Sequence, residues 1–258
     1  MKITEKLLCF EEWQRFLAYK IAGGHLSKAE EKRLSEYIEN QEYLPAAKAL
    51  NNGGFFSLPE AVQVNKSSSN KKRTVFVFPE AENMVQKFLA FQLLEYDYLF
   101  SDNLYSFRKD MGVKKAVTRL LFTKGIQAMY SFKLDISDYF NSVPAEQMLP
   151  VLKASLTDDD AFYRIVEAML QNPYALIDGE RQTVKKGILA GSPLSGFLSS
   201  FCALRKARSM TFCSTAMLTP GVLAARLCMA SALTSRNPFF ATAASIYWIL
   251  SISLGRST

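Results

Sequence analysis

Two stretches of this chain hold residue types that could do chemistry. Phe132 to Val143, FKLDISDYFNSV, is an apolar strand pattern carrying Asp135, with Asp138 and Phe140 close behind. A carboxylate at a strand end is either a hydrogen-bonded structural side chain or a ligand for a hard divalent cation, which prefers oxygen. Lys186 to Ser195, KGILAGSPLS, is a glycine-containing turn where the backbone at Gly191 and Ser192 can approach another molecule closely. A third group, Lys71, Lys72 and Arg73, opens the strand TVFVFP. Cations at the base of a strand are placed to meet a triphosphate or a nucleic-acid backbone, or are plain surface charge.

The elements that must position these groups follow from periodicity. Residues 4–21 have helical spacing and end at Gly23-Gly24. Ser27 and Glu30 form a capping box that opens a second helix to about Asn40. Asn51 to Gly54 breaks the chain, and residues 64–73, VNKSSSNKKR, read as a linker or hairpin tip. Pro79 ends the strand TVFVFP. A helix follows over residues 80–99, with Met84, Phe88, Phe91 and Leu94 as its expected buried stripe, and another over residues 113–122, basic on one side. Tyr130 to Ile136 is a strand, and Pro144 opens a helix to about Leu156. The acids Asp158, Asp159 and Asp160 are expected to cap the next helix, to Gln171, rather than bind metal. Asp178-Gly179 marks a hairpin between residues 174–177 and 181–184, and Pro193 falls at the expected start of the following helix.

This order predicts an α+β fold with a small antiparallel sheet backed by helices and a helical N-terminal region. The expected divisions are residues 1–60, helical; 61–201, the body of the fold; and 202–258, an aberrant tail.

The 258 residues carry a net charge of +7 and a pI of about 9.1, which favours a polyanionic partner. The four cysteines, Cys9, Cys202, Cys213 and Cys228, have no CxxC spacing, and His25 is the only histidine. A zinc site or dense disulfide framework is not expected, and a cytoplasmic, reducing setting is. The N-terminus has no uninterrupted apolar core of the signal-peptide kind. All 24 acids lie at or before Glu180, whereas residues 181–258 hold nine Lys or Arg and no acid. A folded surface normally mixes both signs.

Four stretches, taken in order, resemble the reverse transcriptase family over residues 71–204, nearest its bacterial group II intron and retron branch. KKRTVFVFP is similar to the first fingers block, and LYSFRKDMGVKKAV to the block usually written YGFRxGRS. FKLDISDYFNSV is similar to the first catalytic block of the palm, and KGILAGSPLSGFLSSF to the block written GxPQGSPLSPxLxN. The resemblance implies fingers and an incomplete palm of a right-hand polymerase. It implies RNA-directed DNA synthesis with two magnesium ions, an RNA template, a DNA primer and deoxynucleotides, and a retroelement or antiviral setting. No specific protein partner and no membrane are implied.

By the same resemblance Asp135 is the catalytic metal ligand, aided by the Ile136 carbonyl. Arg73, Asp138, Phe140, Ala190, Gly191 and Ser192 are the nucleotide contacts, with the Phe140 ring excluding a ribose 2′-hydroxyl. Lys71, Lys72, Arg108 and Lys109 would meet nucleic acid.

Two departures stand out. Ala190 occupies a position where many relatives have Gln. Beyond GFLSSF, where relatives read FLANLYLxxLD and then YxDD, this chain has no aspartate after Asp178. The expectation is an inactive, truncated or frameshifted reverse transcriptase, out of frame from about Cys202, without the paired aspartates or thumb. A non-catalytic RNA-binding module is the alternative. The uncharged run over residues 238–254 is short for a membrane span, which needs about 20 residues.

Overall fold

The computed structural model describes residues 1–65, 72–100, 102–124, 130–134, 139–143, 145–156, 159–184 and 187–204, and the short strands at 213–215, 226–228 and 246–250. The fold is α+β, with a helical N-terminal region and a four-stranded mixed sheet.

The N-terminal pattern makes two helices rather than one, α1 (Ile3–Lys6) and α2 (Phe10–Ala22). The break falls after Leu7, whose carbonyl accepts the buried Trp13 indole N–H at 2.9 Å. α2 ends at Gly23 as expected. α3 (Lys28–Glu39) opens on the predicted box: Ser27 Oγ accepts from the Glu30 N–H, and the Glu30 carboxylate accepts from the Ser27 N–H. α4 (Leu44–Asn51) was not legible in the pattern.

Trp13 sits between two rings, stacked on Tyr43 at 4.1 Å and on Phe88 at 4.2 Å between centroids. Phe88 belongs to α5 (Glu80–Gln92), so the N-terminal helices share one core with the elements that follow. α5 buries Val85, Gln86, Phe88, Leu89 and Gln92, while Met84 and Phe91 are half-buried. Its inner face is therefore turned from the expected stripe and carries two glutamines. The chain tightens into a 3-10 helix over Leu93–Leu99 instead of continuing as α-helix.

β1 (Glu60–Asn65) and β2 (Lys72–Val77) pair antiparallel as neighbouring strands. The residues that join them, 66–71, expected as part of a linker or hairpin tip and including Lys71, lie outside the described residues. β1 also runs parallel to β4 (Tyr174–Ile177), which pairs antiparallel with β5 (Glu180–Thr183). The sheet order is β2-β1-β4-β5. It is mixed, not purely antiparallel, because Leu176 N–H reaches the carbonyl of Pro59 and seats the hairpin beside the start of β1. The turn Asp178-Gly179 has both φ values positive, at 52° and 81°, the geometry that matches strand twist.

α6 (Val113–Leu121) presents Val113, Val117 and Leu121 to solvent, 81%, 47% and 73% exposed. Its opposite side is tethered, since Arg119 donates to the Asp102 carbonyl and the Tyr105 hydroxyl. The predicted solvated face is thus joined by an exposed apolar one.

β3 (Tyr130–Leu134) matches the start of the predicted strand and pairs antiparallel with β8 (Ile246–Leu250). Two further short strands, β6 (Cys213–Thr215) and β7 (Arg226–Cys228), pair with each other. A short α7 (Tyr139–Ser142) precedes α8 (Ala145–Ser155). α9 (Asp160–Gln171) is capped by the buried Asp159, whose carboxylate accepts from Phe162 N–H at 2.9 Å. The same carboxylate accepts from the N–H and hydroxyl of Thr4, tying the N-terminus to α9. α10 (Ser195–Leu204) begins two residues after Pro193, which lies in the turn before it. Among the described residues no helix is long and apolar enough to cross a membrane.

Candidate functional site

The KGILAGSPLS turn is the point at which the separate motifs meet. Ile188 N–H donates to the Phe140 carbonyl at 2.7 Å, and two residues on the Ala190 carbonyl accepts from Phe76 N–H, also at 2.7 Å. One short loop therefore bridges α7 and β2. Two glycines make this possible. At Gly187 (φ +51°) a Cβ would lie 1.9 Å from the Phe140 carbonyl oxygen; at Gly191 (φ +100°) it would lie 3.1 Å from Val75 Cβ and from the Phe76 carbonyl oxygen. Any side chain at Gly187 would force the two backbones apart.

β2 carries Arg73 toward this loop. Side chains alternate along a strand, so Arg73 shares the face of Val75, the residue Gly191 packs against. Two residues of strand separate them by about 7 Å. Lys72 and Arg73 are exposed, and among the described residues no carboxylate pairs with either. Gly191 is exposed and Ala190 half-buried, which leaves loop backbone facing outward.

Ser192 faces inward. Its side chain is buried, donating to Gln86 Oε1 at 2.7 Å and accepting from Leu194 N–H at 3.2 Å. Its hydroxyl thus anchors the loop to α5, and its backbone is engaged within the loop, the N–H donating to the Leu189 carbonyl and the carbonyl accepting from Ser195, so Ser192 presents nothing outward. Gln86 was missed by sequence reasoning. Its burial contradicts its polarity, and its partner is 106 residues away.

Phe140 is half-buried and meets Phe107 edge to face, with centroids 6.5 Å apart and planes at 80°. Phe107 in turn lies on α10, where a Cβ on Gly196 would be 2.5 Å from its ring. The LYSFRK stretch is thereby brought to the same place as the other three.

Arg108 is placed otherwise than a nucleic-acid contact would require. Its side chain is 6% exposed and makes a two-pronged pair with Asp97, Nε to Oδ1 and Nη2 to Oδ2, each at 2.8 Å. It also donates to the carbonyls of Leu104 and Asp97. The hydrogen bonds from Arg108 hold the Asp97 carboxyl below the ordinary carboxylate range, and the same bonds raise Arg108 further above its own. This planar fork fixes the turn before α6. Lys109, its neighbour, is exposed.

Asp135, the Ile136 carbonyl and Asp138 lie outside the described residues, as does Lys71. Among the described residues no three His, Cys, Asp or Glu side chains come together in a way that could hold a metal ion. The described part of the site therefore offers cations, backbone and aromatic rings, which suit an anionic, ring-bearing ligand, and supplies no magnesium cage by itself.

No protein-family model matches the chain, and no curated protein matches it.

Proposed function

We propose that this chain is derived from an RNA-directed DNA polymerase and carries its nucleotide side without a complete catalytic centre. The observation that supports this reading best is the double bridge made by the KGILAGSPLS loop. Stretches around residues 73, 107, 140 and 190 are distant in sequence, yet Ile188 and Ala190 tie two of them together by backbone and Phe107 brings the third. A polymerase needs these groups side by side: a cation for the triphosphate, a ring against the sugar, and loop backbone against the base pair.

In this reading the β2 hairpin is fingers and the stretch from β3 to α10 is part of a palm. Arg73 would hold phosphate oxygens through its planar fork, and Phe140 would meet the sugar. Magnesium, held in part by Asp135, would supply charge neutralisation at the reacting phosphate when bound. The chain's own residues do the rest: bind, orient and exclude the wrong sugar. Residues 181–258 contain no carboxylate, so further metal ligands are missing from the region where the resembled family keeps them. Loss of such charge removes stabilisation that packing cannot replace. The chain therefore binds nucleotide and nucleic acid but does not polymerise.

Equilibrium binding of a deoxynucleoside triphosphate tests this reading. Arg73→Ala should weaken affinity by about tenfold, the value of one charged hydrogen-bonded contact. Equal affinity in both proteins, or no binding to either folded protein, would overturn it. The exposed Lys72, Lys109, Lys114 and Lys115 favour a second, purely RNA-binding role. It would show as a steep fall of RNA affinity with salt, without any nucleotide binding.

A further inference from the structure

We propose that Phe107 is a positioning residue for Phe140 and thereby sets the sugar preference of the nucleotide site. The inference rests on the nucleotide reading of Phe140 given above.

Phe107 is held in a place that its own chemistry does not favour. Its backbone has φ +57°, a left-handed conformation that non-glycine residues seldom adopt. The residue is 52% exposed. A large apolar ring in that position would gain from relaxing into the core, so its surroundings must hold it. Two neighbours do so. Arg108, the next residue, is locked to Asp97 by the paired 2.8 Å bonds and to the Leu104 carbonyl. Gly196 lets the ring lie directly on α10, where even one added carbon would come within 2.5 Å of it.

The ring so held meets Phe140 edge to face at 6.5 Å, an arrangement that aromatic quadrupoles favour. Phe140 is fixed from the other side through its backbone, by Ile188 N–H and by the close seat on Gly187. Its main chain and its ring therefore have separate supports. Steric exclusion of a hydroxyl needs a ring fixed to well under 1 Å, and a loosening of about 1 Å makes such a site permissive. Removing the Phe107 ring takes away a support of the Phe140 ring and leaves the support of its backbone intact.

The experiment compares dATP with ATP binding by the full chain, supplied as magnesium salts, in wild type and in Phe107→Ala, Phe107→Leu, Gly196→Ala and Phe140→Ala. Wild type should prefer dATP by about tenfold, within what a shaped pocket achieves against one added hydroxyl. Phe107→Ala and Gly196→Ala should bring that ratio to about twofold by tightening ATP, with dATP affinity nearly constant, and Phe107→Leu should restore most of it. Gly196→Ala keeps the ring and only displaces it, so it stands in if Phe107→Ala does not fold. A ratio unchanged by Phe107→Ala and Gly196→Ala but lost in Phe140→Ala overturns the role of Phe107 and leaves the nucleotide site standing. Absence of nucleotide binding by folded wild type overturns both. A missing nuclear Overhauser contact between the Phe107 and Phe140 rings in wild type overturns the inference without reference to any ligand.

Discussion

Arg108→Ala separates two roles that the sequence assigns to one residue. As a nucleic-acid contact, Arg108 would be dispensable for folding. In the structure its guanidinium makes two charge-assisted bonds to Asp97 at 2.8 Å and two longer bonds to main-chain carbonyls, with 6% of the side chain exposed. Each hydrogen bond to a charged group is worth about 1.5–3 kcal/mol. Breaking a buried pair by removing one partner costs about 3–5 kcal/mol. The Asp97 side chain keeps 26% exposure, so water recovers part of that loss, and about 3 kcal/mol is expected. Urea unfolding at neutral pH, followed by circular dichroism, measures it as a fall in midpoint at constant slope. The acid limb gives a second arm. Asp97 has its carboxyl held below the 3.8 of an unperturbed aspartate by the Arg108 hydrogen bonds. Its contribution is therefore present above the unfolded value and is lost as pH falls through the lower folded one. Wild type should lose stability on acidification below about pH 4, and Asp97→Asn should lack that component. An Arg108→Ala protein with unchanged stability and weakened RNA binding would refute the structural role.

Three further outcomes are expected. Gly187→Ala puts a carbon 1.9 Å from the Phe140 carbonyl oxygen at φ +51°; it should cost about 2–4 kcal/mol in the same assay through strain and the lost Ile188 bond. Asp159→Ala leaves the N–H groups of Thr4 and Phe162 without their acceptor, and should lower stability by about 2–4 kcal/mol, with Thr4→Ala smaller. Val117→Ser and Leu121→Ser, on the exposed face of α6, should change stability by under about 0.5 kcal/mol; losses above 2 kcal/mol would mean that this face is covered.

What was legible in the sequence was local. Ser27 and Glu30 announce their capping box because both partners sit within one turn. Asp178-Gly179 announces its hairpin because only such residues tolerate two positive φ values, and Asp159 its helix because a carboxylate suits the exposed N–H groups there. What was missed depends on residues far apart. The helix break at Leu7 exists because the Trp13 indole takes a carbonyl, and Trp13 is fixed by Tyr43 and Phe88 from elsewhere in the chain. The inward turn of α5 depends on Ser192, a partner for Gln86 that no helical period reveals. Arg108 looks like an exposed motif cation until Asp97, eleven residues earlier, is folded against it. The parallel contact of β1 with β4 likewise has no local signal. The candidate site was legible as four motifs, but their meeting through Ile188 and Ala190 was not, since two backbone hydrogen bonds leave no mark on residue type.

Primer extension on an RNA template, with magnesium and deoxynucleotides, tests most directly the claim that a nucleotide side persists here without a complete catalytic centre. The same preparation that binds dATP should yield no extended primer at any enzyme concentration. Clear product from wild type that disappears in Asp135→Ala would contradict the account, because it would show a working metal centre in a chain with no carboxylate after Glu180.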